Sequence, residues 1–459
     1  MKFAVHTFGC KVNTYDTGLI QQNLFSHGFA LSSDQSPPEA TLSQSPLQPR
    51  IHVLNTCAVT GEATKQAVKL IRKLKASDPF CTVVVTGCAA QVDTDSFSNL
   101  PGADLVVANS HKAEIPNLIR NHFKGTLTSK VFKSNIFRKE ALEAGGGEEK
   151  AHTRSFLKIQ DGCNSFCSFC IIPYARGKSR SIGVSDLVKR VRELSDQGIG
   201  EVVLTGVHIG DYSDASPGGS DESQGGLRGL EDLIEALLVK TVMPRIRLSS
   251  LEPIELSQRL LDLYQDPRLC RHFHMSIQSA ESQVLKDMKR KYNAGDVRKA
   301  LEEIAEKVPG SFVGMDVIAG FPTESQTQFE EGLKTLSDLP WTRLHVFPYS
   351  ERAGTLAASK TESVPWAVRT QRAAQLRELS SARFQETALR QIGMEKKVLI
   401  LKKPSRGAQG LSRDYWSIEI NEDPEVILQK MGKEVLMKIE EFVPPLGRNH
   451  DGALRGRFL

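Results

Sequence analysis

Nowhere in its 459 residues does the chain hold the roughly 18 unbroken apolar residues that a membrane-spanning helix needs. Its opening, MKFAVHTFGC, has neither the charged lead nor the long apolar stretch of a secretory signal. Both absences point to a cytoplasmic protein without a membrane partner. A strong charge bias is missing too: 59 Lys plus Arg stand against 54 Asp plus Glu, a net charge of +5. That balance is compatible with nucleic acid but does not demand it. A secreted disulfide framework is disfavoured as well, because eight cysteines in a long chain without export signals serve metals or catalysis more often than cross-links. What is present, 40% hydrophobic and 25% charged residues, is ordinary globular composition with room for roughly two to four domains.

From Lys2 the chain alternates strand-like and helix-like segments: KFAVHTFG, a polar helix over 16–27, IHVLNTC, the helix EATKQAVKLIRKLK, CTVVVTGC and ADLVVANS. Such alternation implies a parallel sheet. The insertion SSDQSPPEATLSQSPLQPR, within 32–50, is too poor in large apolar residues to order itself. A glycine run and a charge run in ALEAGGGEEKAH mark a linker near 140–152. Beyond it, candidate strands FLKIQDG, EVVLTGV, RIRLSS, HFHMSIQS, FVGMDVIAGF and TRLHVFPYS are separated by helices such as VSDLVKRVRELSDQG and LRGLEDLIEALLVK. Six βα units over about 200 residues predict a whole or partial (β/α) barrel, with its reactive groups at the carboxyl ends of the strands. SDASPGGSDESQGG, over 213–226, reads as a solvated loop, and 362–392 as one or two charged helices. The runs EKKVLILKK, YWSIEI, KEVLMKIEEF and ALRGRFL then predict a small β-barrel at the end.

Cys163, Cys167 and Cys170 form C-x3-C-x2-C in KIQDGCNSFCSFCIIPYARG, directly after a predicted strand. Three thiolates on one tight loop can hold three irons of a [4Fe-4S] cluster and leave the fourth open for chemistry. A structural zinc site is the competing reading, but zinc prefers paired C-x2-C units that supply four ligands, and no fourth of that kind lies nearby. Cys10, Cys57 and Cys88 are far apart in sequence, yet each ends a predicted parallel strand, in TFGC, VLNTC and VVTGC. Carboxyl ends of parallel strands line one crevice, so these three can converge on a second three-thiolate site. One such cysteine alone would read as a buried structural residue. Cys81 opens its strand and Cys270 has no cysteine neighbour in sequence, so both are assigned to structure.

The C-x3-C-x2-C spacing, with Phe169 before the last cysteine, resembles the radical S-adenosylmethionine (SAM) superfamily. The resemblance implies that SAM binds the open iron and is cleaved reductively to a 5′-deoxyadenosyl radical. With TFGCKVNTYDT, NTCAVT, VVTGCAAQ, HFHMSIQSAESQVLKDMKRKY and VIAGFPTES added, almost the whole chain is similar to the radical SAM methylthiotransferases. That family implies an α/β protein in three parts: an N-terminal parallel-sheet domain over 1–125, a radical SAM partial barrel over 149–385, and a small all-β TRAM barrel binding RNA over 390–459. It implies two [4Fe-4S] clusters, one cleaving SAM and the other, on Cys10, Cys57 and Cys88, delivering a methylthio group. SAM is then both methyl donor and radical source. Ala89 departs from the aromatic residue often found after the third N-terminal cysteine, and the insertion lengthens the Cys10 to Cys57 spacing; neither removes a ligand.

LTGVHIGDY, RIRLSSLEP and RLHVFPYSERAGT most resemble the branch that modifies C2 of N6-threonylcarbamoyladenosine at position 37 of tRNA, beside the anticodon. The alternatives are isopentenyladenosine in tRNA, a ribosomal-protein aspartate, or a non-catalytic iron-sulfur RNA-binding sensor. A threonylcarbamoyl group bears a carboxylate, so its site should offer a cation or amide donors. By position along the barrel, Thr205, Gly206, Val207, Ser250, Glu252, Gln278 and Gly320 are candidates to contact SAM. His208, His274 and His345 lie near strand ends but read first as hydrogen-bonded core residues. The tail is only slightly basic, so an RNA grip there calls for a local patch of Lys396, Lys402, Lys403, Arg406, Arg455 and Arg457, with Tyr415 or Trp416 stacking. The expected partners are a tRNA anticodon stem-loop, an electron donor such as flavodoxin or ferredoxin, and a sulfur donor, with the enzyme acting as a monomer.

Overall fold

A computed structural model describes residues 1–32, 50–138, 142, 153–214, 228–402, 409–445 and 452–459. The linker and nearly all of both insertions lie outside these residues, as do Lys403 and Arg406. The chain divides into two compact units, one of Met1–Glu148, Gln160–Arg180 and Ser350–Thr355, the other of Glu149–Ile159, Ser181–Tyr349 and Leu356–Leu459.

In the first unit six parallel strands form one sheet, in the order Ala30–Leu31, Lys2–Thr7, Arg50–Thr56, Thr82–Gly87, Leu105–Ala108 and Val131–Phe132. Valine-rich strands alternate their side chains between two covered faces. Val83 and Val85 pack with Ala67, Ile71 and Leu74 of the helix Gly61–Ser77. Val84 points the other way, into a cluster with Ile20 and Leu24 of Lys11–Ser26 and Leu118 and Ile119 of Ile115–Phe123. Each such side chain removed from water contributes about 1.5–3 kcal/mol before entropy is charged against it. Helices on both faces make the sheet doubly wound, and the chain reverses direction across the sheet between Lys2–Thr7 and Arg50–Thr56.

All six expected barrel strands are present in the second unit, at Arg154–Lys158, Glu201–Thr205, Ile246–Leu248 continuing as Ser250–Leu251, His272–Gln278, Phe312–Ala319 and Arg343–Pro348. All pair in parallel, with a break at Ser249 that divides them into sheets of three and four strands. Each strand is followed by a helix, from Val184–Asp196 to the long Trp366–Leu389, completing a six-fold partial barrel. The tail closes a separate five-stranded barrel in the order Glu395–Ile400, Gln409–Ser412, Ser417–Ile420, Ala453–Phe458 and Glu434–Val443. Its core of Val398, Trp416, Ile418, Met437 and Leu454 also takes in Phe384 and Ala388 of the long helix.

A buried charge cluster joins the two barrels. Glu201, fully buried, accepts from Arg154 at 2.7 Å, Arg245 at 2.9 Å and Arg247 at 2.9 and 3.0 Å. Arg245 continues to Glu434 at 2.8 Å and to the carbonyls of Leu411 and Ser412 at 3.0 and 3.1 Å. Burial opposes the Glu201 charge, but Arg247, Arg154 and Arg245 hold its carboxyl well below the ordinary range. Cys270 is buried against the same cluster, in keeping with a structural role.

Candidate functional site

The three separated cysteines of the first unit occupy equivalent places on neighbouring strands. Cys10 caps the helix Lys11–Ser26 that follows Lys2–Thr7, Cys57 follows Arg50–Thr56, and Cys88 begins the short helix after Thr82–Gly87. They lie at the carboxyl edge of the sheet around its reversal point, where open α/β sheets form a crevice. Polar side chains tie these ends together. Asn13 donates to the carbonyls of Phe8 at 2.8 Å and Thr56 at 3.0 Å, while Asn55 donates to the Asn13 carbonyl at 2.9 Å. The Thr56 hydroxyl donates to the Thr86 carbonyl at 2.5 Å and accepts from the Ala90 N–H at 3.3 Å.

Two glycines permit the close approach. Gly9 has φ +95°, and a Cβ there would lie 2.6 Å from Cys57 Sγ; Gly87, at φ +98°, would meet the Thr56 nitrogen at 2.5 Å. Cys57 and Cys88 are buried, whereas Cys10 is exposed. Burial pushes the Cys57 thiol up to about 11, helped by Cys88 and Cys10 and opposed by the Val59 N–H and Arg176. Burial raises Cys88 as well, against the pull of Arg176 and Lys112, and Cys10 adds to the rise.

The C-x3-C-x2-C loop belongs to the same unit. Cys163 and Cys167 are buried and Cys170 is half-buried. The Cys170 N–H donates to the Cys167 carbonyl at 3.0 Å, and Phe166 turns the loop in a left-handed conformation at φ +46°. The loop runs into the helix Ile172–Arg176, which delivers a fully buried arginine. Arg176 donates to Asp161 Oδ1 at 3.0 Å, Asp16 Oδ2 at 3.1 Å and Asn13 Oδ1 at 2.5 Å. One guanidinium therefore ties the segment entering the C-x3-C-x2-C loop to the first turns after Cys10. Burial works against its charge, but Asp161, Cys88, Asp16 and Cys10 outweigh that and keep it protonated. Lys112 adds a second cation on Asp16 at 2.9 Å.

The donor chemistry fits iron-sulfur ligation in both groups. Each offers three sulfurs, and sulfurs in each already accept N–H donors: Cys57 from Val59 at 3.4 Å, Cys88 from Asn109 at 3.6 Å and Cys163 from Ser165 at 3.4 Å. Hydrogen bonds to sulfur are a recognised means of tuning such clusters. Sequence reasoning quoted the motifs containing Asn13, Asp16, Asp161 and Arg176 but gave these residues no role.

In the second unit, the SAM candidates all fall on one rim of the barrel. Thr205 ends its strand with Gly206 and Val207 after it; Ser250 lies in the continuation of the third strand and Glu252 directly follows it; Gln278 and Gly320 sit at the ends of the fourth and fifth. Gln278 and Gly320 have φ of +62° and +73°. Glu252 pairs with Arg290 at 2.5 Å, and His208 contacts Glu255 and lies 3.2 Å from Asp211. His274 sits 2.9 Å from Asp316 and stacks on His345 with ring centroids 5.3 Å apart. The histidines are thus engaged with neighbouring side chains, and all three are half-buried.

The tail's expected cationic patch is largely compensated. Lys396 binds Asp414 at 2.5 Å, Arg455 bridges Glu419 at 3.0 Å and Glu441 at 2.6 Å, and Arg457 meets Glu440 at 3.1 Å. Lys402 is half-buried, its backbone N–H on the Thr153 hydroxyl at 2.7 Å. Trp416 is a core residue, and Tyr415 lies between Arg247, 4.9 Å from its ring centroid, and His272, at 3.9 Å between centroids. Both aromatics are used inside the unit.

Comparison with known proteins agrees with this geometry. Residues 157–336 match the Radical SAM superfamily, and residues 2–108 match the Uncharacterized protein family UPF0004. The threonylcarbamoyladenosine tRNA methylthiotransferase MtaB of Aquifex aeolicus is 34% identical over 405 residues, covering 88% of this chain and 93% of that protein. Its namesake from Chlamydia pneumoniae is 30% identical over 440 residues, 96% of each chain. The tRNA-2-methylthio-N(6)-dimethylallyladenosine synthase of Desulfotalea psychrophila is 28% identical over 405 residues, covering 87% of this chain and 88% of that one. Among solved structures, the radical S-adenosylmethionine methyltransferase TsrM of Kitasatospora setae superposes with a TM-score of 0.54 at 13% identity, over 78% of this chain and 74% of that one, a likeness of fold alone.

Proposed function

The chain belongs to the radical SAM tRNA methylthiotransferases of the MtaB type, and on that footing we propose that it places a methylthio group on C2 of N6-threonylcarbamoyladenosine at position 37 of tRNA. It is an enzyme that works with [4Fe-4S] clusters and SAM on a tRNA substrate. No described helix is long and apolar enough to cross a membrane. The observation that carries the reading is the gathering of both three-cysteine groups in one compact unit, with Arg176 bonded to segments beside each.

We assign one cluster to Cys163, Cys167 and Cys170 and the other to Cys10, Cys57 and Cys88. Bound there, the two clusters with SAM would supply the power to break an aromatic C–H bond and a place from which sulfur is passed on. The protein's own part is positional. Asn13, Asn55 and Thr56 fix the strand ends that carry the second group, and the N–H donors of Val59, Asn109 and Ser165 orient sulfurs. Arg176 sets a positive charge near Cys10 and Cys88. The rim residues Thr205, Gly206, Val207, Ser250, Glu252, Gln278 and Gly320 remain our candidates for SAM. Lys396, Lys402, Lys403, Arg406, Arg455 and Arg457 remain our candidates for RNA. A cytoplasmic monomer served by a flavodoxin- or ferredoxin-type electron donor and a separate sulfur donor completes the proposal.

The threonylcarbamoyl choice is supported by the identity of 30–35% to MtaB enzymes over most of the chain. The test is to incubate anaerobically reconstituted, reduced protein with SAM and an anticodon stem-loop carrying threonylcarbamoyladenosine, then to weigh the nucleosides. A mass gain matching replacement of hydrogen by methylthio is expected. No gain there, but a gain on the isopentenyl stem-loop, would move the enzyme to the other tRNA branch, which the 28% identity to the Desulfotalea enzyme keeps as the second reading.

A further inference from the structure

A substrate with a carboxylate needs a cation that is not already spoken for, and the first unit narrows the choice. Arg176 is committed to Asp16 and Asp161, and Lys112 to Asp16. Arg352, in the segment Ser350–Thr355 of the same unit, is different. Its Nε donates to the carbonyl of Val59, two residues past Cys57, at 3.4 Å. Its Nη2 is buried and has no hydrogen-bond partner among the described residues. Asp93 and Cys57 are the ionisable groups that act on it, and neither is bonded to it. An orphaned guanidinium N–H in a half-buried side chain is costly to fold and is retained where something completes it. A planar fork with a spare donor suits a carboxylate better than any neutral group.

The surroundings leave room for such a ligand. Ala353 and Gly354, next in sequence, line a cavity of about 670 Å³ together with Gln91, Lys133, Ile171 and Tyr174. That volume is in the range of small-molecule sites, and its walls come from the segment Lys133–Phe137, the helix that begins at Cys88 and the helix that follows Cys170. Gly354 is exposed, has φ +85°, and nothing lies within 4 Å of where its Cβ would be, so open space adjoins the residue two places past Arg352.

We propose that Arg352 receives the carboxylate of the threonylcarbamoyl group and so selects that substrate over its isopentenyl counterpart. The inference rests on the substrate reading above. The test uses the reconstituted, reduced enzyme with SAM and three stem-loops, carrying threonylcarbamoyladenosine, its carboxamide and isopentenyladenosine. Wild type should favour carboxylate over carboxamide by about 10- to 100-fold in kcat/KM, the worth of one charge-assisted hydrogen bond. Arg352→Gln should erase that preference and Arg352→Lys should keep part of it. Stem-loop affinity without SAM, read by fluorescence anisotropy, should move in parallel. A wild type that modifies only the isopentenyl stem-loop would sink the substrate reading itself. A wild type indifferent to the carboxylate, an Arg352→Gln enzyme that keeps the preference, or loss of preference in Lys133→Gln instead would each overturn the role of Arg352. Should Arg352→Gln fail to fold, the Arg352→Lys enzyme must show a reduced preference, and an unchanged one refutes the assignment.

Discussion

Replacing Arg176 with methionine keeps most of its volume and removes its charge, which makes it a direct probe of the link between the two cysteine groups. Three acceptors lose their donor: Asn13, Asp16 and Asp161. Removing one partner of a buried ion pair costs about 3–5 kcal/mol, because the other charge is left stranded. Here the stranding is incomplete. Asp16 keeps Lys112 at 2.9 Å and Asp161 keeps the Gly162 N–H at 2.9 Å, so the lower end, about 3 kcal/mol, is the expected loss. For a unit of this size that is roughly 6–12 °C in Tm. The three tryptophans, Trp341, Trp366 and Trp416, all lie in the second unit. Tryptophan emission of the cluster-free, reduced protein therefore serves as an internal control while calorimetry follows the first unit. The calorimetric transition of the first unit should fall and the tryptophan transition should stay. Arg176→Lys, which keeps the charge but cannot span all three acceptors, should lose about half as much. A shift under about 2 °C, or an equal shift of both transitions, would refute a brace confined to the first unit.

Two further outcomes follow from the same geometry. Changing Cys10, Cys57 and Cys88 together to alanine should leave about half the iron and preserve SAM cleavage while abolishing methylthio transfer; loss of cleavage as well would end the division of labour between the groups. Glu201→Gln tests the buried junction through pH. A carboxyl held below its ordinary value of 4.5 contributes stability that is fully present above that value and is lost as pH falls through the lower folded-state one. Urea midpoints read by tryptophan emission should therefore show wild type most superior at neutral pH, with the gap to Glu201→Gln closing only on strong acidification. A gap that widens in acid would contradict the sign.

The barrel was legible because its six strands are short runs rich in β-branched, aromatic and other large apolar residues with helices between them, and each run sits where expected. The strand-end position of Cys10, Cys57 and Cys88 was legible for the same reason. The helix after Cys10 was placed too late, over 16–27 instead of Lys11–Ser26, and the cause is instructive. Asn13 and Asp16 are buried on its inner face to meet Arg176, so the apolar spacing that announces a helix is broken in its first turns. The strand Gln409–Ser412 escaped notice because it is four residues long and contains Gly410. Arg176 could not be found by spacing: Asp161 lies 15 positions away, and its other two partners lie 160 and 163 positions away in the chain. The tail's aromatics were legible as aromatics, but whether Trp416 faces core or solvent depends on barrel closure, which no local pattern encodes.

The way the tail is attached bears on how this chain can be cut or recombined. A module joined by a flexible tether can be deleted or exchanged with little effect on its host. Here Glu434 and the carbonyls of Leu411 and Ser412 complete the coordination of Arg245, which lies beneath the third barrel strand beside Glu201. Ending the chain at the long helix would uncover Arg245 and Arg247 and strip Phe384 and Ala388 of their cover. A chimaera bearing another tail would have to reproduce that carboxylate and those two carbonyls to fold. The tail is therefore inherited with its barrel, as one folding unit and not as an exchangeable appendage.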